Sequence, residues 1–181
     1  AKYTEWLGRP FPTNALRARA EFDLAWAHYQ AGQLTNALTL FTNFVAQFPQ
    51  DELAPRAQFW VGTYCYDQKD FVNAEKNFQN NILLQNTNFA YQARMMAGRA
   101  AFARQGWKDA YDYFTALVSD NNAVRYAPDL AAEAFFALGD TIVQQDGDPD
   151  KLIQKFVVAR EAFSKIPQLF PTNPLVPRAW G

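Results

Sequence analysis

One cysteine, Cys65, one histidine, His28, and two methionines are all this chain holds of the residues most used for disulfides and soft metal sites. A single cysteine leaves no intrachain disulfide and no cysteine cage for a metal. It does not decide the redox compartment, because a large core needs no staples. A His-rich metal site is excluded as well. Charge of one sign is also lacking: the net charge is -1. A general affinity for nucleic acid or an anionic membrane is therefore not expected. No apolar run approaches the ~18 residues that a membrane-spanning helix needs. No secretory leader opens the sequence. Acids are scattered at helix-surface positions instead of gathered in a pocket, so neither an enzyme active site nor a cofactor site is expected.

Aromatic residues are abundant. There are 16 Phe, 8 Tyr and 5 Trp in 181 residues, enough for a packed helical array or an adhesive groove. A chain of this length buries roughly 70% of its unfolded surface. One ten-residue stretch occurs three times: FPTNALRARA at 11–20, FPQDELAPRA at 48–57 and FPTNPLVPRA at 170–179. Each copy keeps Phe-Pro, then Leu four places after the Pro, then Arg-Ala. Such a repeat is the signature of stacked structural units.

Periodicity near 3.6 places helices between these seams. Residues 16–31 carry Leu16, Ala20, Leu24 and Ala27 on one face, and Gly32 ends that helix. A second helix is expected from about Thr35 as its N-cap, with Ala37, Leu40, Phe41, Phe44 and Val45 apolar, up to Phe48-Pro49. The next pair is read at 53–67, with Pro55 in its first turn, and at 71–84, about a turn at Gln68-Lys69-Asp70. A third pair is read at 89–104 and 107–119, about Gln105-Gly106. A fourth is read at 128–145 and about 151–167. Tyr3, Trp6 and Leu7, at helical spacing before Pro10 and Pro12, read as the end of a preceding helix.

Subtraction fixes the register. Ala25 to Ala37, Gly62 to Ala74 and Gly98 to Ala110 are each 12 positions. Ala37 to Phe41, Ala74 to Phe78, Ala110 to Phe114 and Ala159 to Phe163 are each 4. Gly139 to Ala159 is 20, so the fourth unit carries eight extra residues around 146–154. Small residues at these positions let two antiparallel helices approach closely, and the Phe one turn later is expected to plug into the next pair. A single hairpin cannot bury its own apolar face, so stacking is required.

This pattern of Gly, Ala twelve on, Phe four later and Pro eight after that resembles the tetratricopeptide repeat. Gly32, Ala37, Phe41 and Pro49 carry it, as do Gly62, Ala74 and Phe78; Gly98, Ala110 and Phe114; and Gly139, Ala159, Phe163 and Pro171. The resemblance implies an all-α fold, a right-handed superhelix of stacked antiparallel helix hairpins. The array would run as 1–12 (end of a preceding repeat), 16–52, 53–88, 89–127, 128–174 with its insertion near 146–154, and 175–181 (start of a further repeat), a fragment of a longer protein. The Phe-Pro linker is similar to that of the bacterial envelope subset of these repeats, the outer-membrane assembly lipoprotein and Tol-Pal coordinator types. That likeness implies a periplasmic setting.

By the same resemblance, first helices line a concave groove for a protein or peptide partner. The register would place Arg19, Phe22, Trp26 and Tyr29 there from the first repeat. Arg56, Phe59, Thr63 and Tyr66 come from the second. Gln92, Met95, Arg99 and Phe102 come from the third, and Glu133, Phe136 and Asp140 from the fourth. Rings bury area, and guanidinium groups fork onto carboxylates or carbonyls. Against this, Phe22, Phe59 and Phe136 also read as packing between repeats, and Arg19 and Arg56 as holding the seam. The function expected is a non-catalytic interaction scaffold. The alternatives are a purely structural segment of a longer solenoid, or the recruiting domain of an enzyme whose catalytic part lies outside this chain; self-association through exposed terminal repeats is a further partner expectation.

Several smaller features read as structural. Asp146, Asp148 and Asp150 alternate like calcium ligands, but the EF-hand pattern wants Gly and Glu where Lys151 and Val157 stand. A polar turn with Asp150 capping the next helix is the better reading. His28 and Cys65 occupy matching positions that pack inside a repeat, and Trp107 is expected to pack its hairpin. Asn80, Asn81, Asn86 and Asn88 form a polar loop with no assigned chemistry.

Overall fold

A computed structural model describes the backbone of residues 14–145 and 152–180, and the side chains of 16–145 and 153–180. Among the described residues there are eleven helices and no strand. The fold is all-α, built of neighbouring helices packed in hairpins. The chain divides into two compact units between Phe89 and Ala90. The acidic stretch at 146–150 and the Pro10–Pro12 region lie outside the described residues.

The first unit holds α1 (Asn14–Gln30), α2 (Leu34–Gln47), α3 (Ala54–Asp67), α4 (Phe71–Phe78) and α5 (Asn81–Leu84). α1 packs on α2, α2 on α3, and α3 on both α4 and α5. The turn after α1 places Gly32 at φ +73°. Its N–H donates to the carbonyl of Tyr29, and that of Gln33 to His28. This double-bonded ending satisfies the last carbonyls of the helix and needs one left-handed residue. The same turn follows α3, with Lys69 at φ 61° and bonds from Lys69 to Tyr66 and Asp70 to Cys65.

The buried residues of α1 are Ala18, Ala20, Phe22 and Ala25; of the expected stripe Ala20 is buried and Leu24 half-buried, whereas Ala27 is exposed and Leu16 is 58% exposed. The rings of Phe41 and Phe44 meet Phe22 edge-on at 5.4 and 5.6 Å. That aromatic cluster outcompetes the Ala/Leu stripe for the interior. α2 begins at Leu34 with Gln33 as N-cap, so Thr35 is inside the helix. Its carbonyl accepts from Thr39. The helix expected over 71–84 is broken. α4 stops at Phe78, and Asn80, extended at ψ 135°, caps α5 by accepting from the Ile82 N–H. Asn86 likewise accepts from the Asn88 N–H. The polar loop therefore has a role: its amides end and restart helices. Cys65 is only half-buried, its sulfur 3.9 Å from the Asn77 amide.

The second unit holds α6 (Ala90–Ala103), α7 (Trp107–Val118), α8 (Asn121–Tyr126), α9 (Pro128–Gln144), α10 (Leu152–Leu169) and α11 (Val176–Trp180). α6 packs on α7, α7 on α9 and α9 on α10. Gln105, at φ 65°, makes the third turn of the Gly32 type. The short α8 falls where the sequence reading had loop, started by Asp120 accepting from the Asn122 N–H. α10 runs two residues past its expected end, with Pro167 inside it.

Close approach in each hairpin comes from Gly facing Phe. A Cβ built on Gly62 would stand 2.7 Å from the Phe78 ring, on Gly98 2.5 Å from Phe114, and on Gly139 2.6 Å from Phe163. These rings cover the glycine of their own hairpin. The Phe expected to plug into the next pair does so at Phe41, which reaches Trp60 at 4.7 Å, and each ring in addition packs on its own hairpin.

The repeated seam has one geometry in the two copies described. Asp51 accepts from the Leu53 N–H at 2.9 Å, and Asn173 accepts from the Leu175 N–H at 2.9 Å. Both are short acceptor side chains turning the chain three residues before a new helix begins.

Candidate partner-docking pocket

A helix shows one face at positions i, i+4, i+7, i+8 and i+11. On α3 those positions are Arg56, Trp60, Thr63, Tyr64 and Asp67. α1 brings Trp26 and Tyr29 beside them. Together with Leu34, Phe59, Gln68 and Phe89 they line a pocket of about 280 Å³ in the first unit. The rings form a continuous ladder. Trp26 meets Tyr29 at 5.1 Å, Tyr29 meets Trp60 at 5.5 Å, and Trp60 meets Tyr64 at 5.6 Å. Phe59 closes the floor between Phe78 and Phe89, at 5.3 and 5.4 Å. Such pairs hold one another rigid, since edge and offset contacts add about 0.5–1.5 kcal/mol beyond burial.

Arg56 lies across the mouth of this ladder. Its guanidinium carbon is 4.6 Å from the Trp26 ring and 5.8 Å from Phe22. Stacking uses the face of the guanidinium and leaves its N–H edge free to donate. Among the described residues neither Arg56 nor Asp67 forms an ion pair. The pocket thus has an apolar middle and one unneutralised charge of each sign.

The remaining groove candidates separate clearly. Phe22 is a core residue at 4% exposure, and Met95 is another at 3%. Thr63 lines the pocket while donating its hydroxyl to the Phe59 carbonyl. Tyr66 stands outside the pocket, edge-on to Phe71. Arg19 is exposed and paired with Asp23 at 3.2 Å. In the second unit Arg99 and Glu133 neutralise each other at 2.5 Å, Gln92 is exposed, and Phe102 packs edge-on to Trp107.

Phe136 and Asp140 have a different role. Ala25 and Gly139 are register mates, so Phe136 takes the place of Phe22 and Asp140 that of Trp26. Arg178, the seam Arg matching Arg56, lies over Phe136 at 4.6 Å. Burial pushes the Asp140 carboxyl up, and the nearby Arg178 charge pulls partly against that. An acid stands where the first unit has the stacking indole, so the ring under the seam Arg has no indole beside it in the second unit.

Other chemistry is sparse. His28 holds Gln33 through Nδ1 at 2.5 Å, which ties the first turn. Burial, then the charge of Asp70, pushes the Cys65 thiol up, so it is a poor nucleophile. Among the described residues no group of His, Cys, Asp and Glu is arranged to hold a metal, and no helix is long and apolar enough to cross a membrane. A second, polar pocket of about 340 Å³ lies along the seam, but two of its side chains, Asp51 and Asn86, already hold turns.

Residues 16–80 match the family model of the tetratricopeptide repeat. Over that stretch the chain is similar to tetratricopeptide repeats. The match covers α1 to α4, the helices that build most of the pocket. Tetratricopeptide repeats generally mediate protein–protein interactions and are typically non-catalytic scaffolds. No curated protein matches the chain.

The sequence reading of the repeat missed Leu34, Trp60, Tyr64, Asp67, Gln68 and Phe89. For α3 it chose 56, 59, 63 and 66, whereas the pocket face runs through 56, 60, 63, 64 and 67. The signal was present: Trp60 and Tyr64 are one turn apart, and Trp60 is one turn after Arg56.

Proposed function

We propose that this protein is a non-catalytic interaction module that docks a segment of a partner protein in the ring-lined pocket between α1 and α3. The observation that carries this reading is the Trp26–Tyr29–Trp60–Tyr64 ladder, a rigid, half-exposed aromatic surface with Arg56 unneutralised at its edge. Trp, Tyr and Arg are the residues that dominate binding energy at interfaces. A repeat fold supports it, because such repeats generally serve protein partners. The envelope setting belongs to the proposal too, and rests on the Phe-Pro linker alone.

The test is partner capture by the wild-type chain and by Trp60→Ala, Tyr29→Ala and Tyr66→Ala, each checked for helical signal. Loss of one anchoring ring should weaken binding by about 2 kcal/mol, roughly thirtyfold. Tyr66→Ala, outside the pocket, should bind as wild type. A partner indifferent to Trp60 and Tyr29 would refute the pocket.

A further inference from the structure

The two charges of the pocket stand at opposite ends of one helix. Arg56 is the third residue of α3 and Asp67 the last. Eleven positions at ~1.5 Å each separate them by about 16 Å along the axis. Trp60 and Tyr64 lie between. Both charges have the wrong sign for the helix itself. A helix favours acids at its N-terminus and bases at its C-terminus, and α3 has neither an acid in its first turn nor a base in its last. Neither charge is neutralised by another described side chain. The helix dipole, positive at the Arg56 end, adds to the same polarity.

Resting on the reading of this pocket as a docking site, we infer that it fixes the direction of its partner segment by charge: the occupant is a peptide with an acidic residue at the Arg56 end, apolar or aromatic side chains over Trp60 and Tyr64, and a basic residue at the Asp67 end. An extended chain covers the span in about five residues. Arg56 offers a donor edge that suits a carboxylate. A peptide of the opposite polarity meets repulsion at both ends, and such repulsion is how an interface rejects the wrong register.

The experiment is selection of displayed random peptides of about twelve residues against the full chain and against the double variant Arg56→Glu/Asp67→Lys, both exposed substitutions. Wild type should select an acid and a base flanking apolar residues in one constant order. The double variant should select the reverse order. Arg56→Glu alone should weaken a wild-type-selected peptide about fivefold, an effect that high salt erases. Trp60→Ala should abolish its binding; if that variant loses helical signal, Tyr64→Ala serves instead. Peptides that need Trp60 but show no charge order, or an order that does not reverse, overturn the directional inference and leave the pocket standing. No selected peptides, or peptides indifferent to Trp60 and Tyr64, overturn the pocket and the inference together.

Discussion

At Gly98 the β-carbon of any other residue would stand 2.5 Å from the Phe114 ring, and that ring is 1% exposed with nowhere to move. Two effects oppose each other in Gly98→Ala. Helix propensity gains about 1 kcal/mol, while overpacking a tight site loses about 1–3 kcal/mol. The packing loss should win, and denaturant melts should show net destabilisation of up to about 2 kcal/mol. Lys69 runs the other way. It holds a left-handed backbone at φ 61°, which costs a side-chain-bearing residue about 1–2 kcal/mol. Glycine's unfolded-state entropy offsets part of that. Lys69→Gly should therefore stabilise by about 0.5 kcal/mol in the same melts. Thr115 has a buried hydroxyl oxygen without a hydrogen-bond partner, so Thr115→Val should be stabilising by up to about 1 kcal/mol. The Gly-to-Phe spacing was legible in the sequence because a close helix contact needs a missing side chain. The left-handed positions Lys69 and Gln105 were legible only as turns, since neither residue type advertises positive φ.

Asp140 on α9 governs how that element responds to pH. Its carboxyl is pushed above the usual carboxylate range, mainly by burial. A raised acid binds its proton more tightly in the folded state than in the unfolded one. Its favourable contribution is therefore present below the ordinary carboxylate value and is lost as pH rises through the folded value. Asp140→Asn should melt higher than wild type at neutral pH, and the gap should close as pH falls into the acid range. A gap that stays constant across that range would contradict the assignment. Elements were partly legible. Four helix pairs follow from 3.6-residue periodicity, yet α4 and α5 were merged into one. Periodicity runs through Phe78, Ile82 and Leu83, whereas the break depends on one amide, Asn80, accepting from the Ile82 N–H. Asn80→Ala should cost about 1 kcal/mol. The α1 face shows the same limit from another side. Two apolar stripes compete on that helix, and only the tertiary cluster of Phe22 with Phe41 and Phe44 decides between them.

For the whole molecule, the sequence carries the repeat architecture strongly and the docking site weakly. Architecture is written several times over, in seams, glycines and phenylalanines, so single departures such as Ala25 do not hide it. The pocket is written once, in one unit, and its α3 lining adds Trp60, Tyr64 and Asp67 to Arg56, Phe59 and Thr63 while leaving out Tyr66. The second unit shows that the same register does not imply the same surface. Asp140 stands where Trp26 stands, and Arg178 lies on Phe136 beside an acid instead of beside an indole. The proposed docking therefore concerns the first unit alone. Amide hydrogen exchange on the full chain, with and without a partner captured by it, tests this most directly. Slowed exchange should be concentrated in 26–34 and 56–68, with none of that slowing in Trp60→Ala. Protection confined to other helices, with 56–68 unchanged, would contradict it.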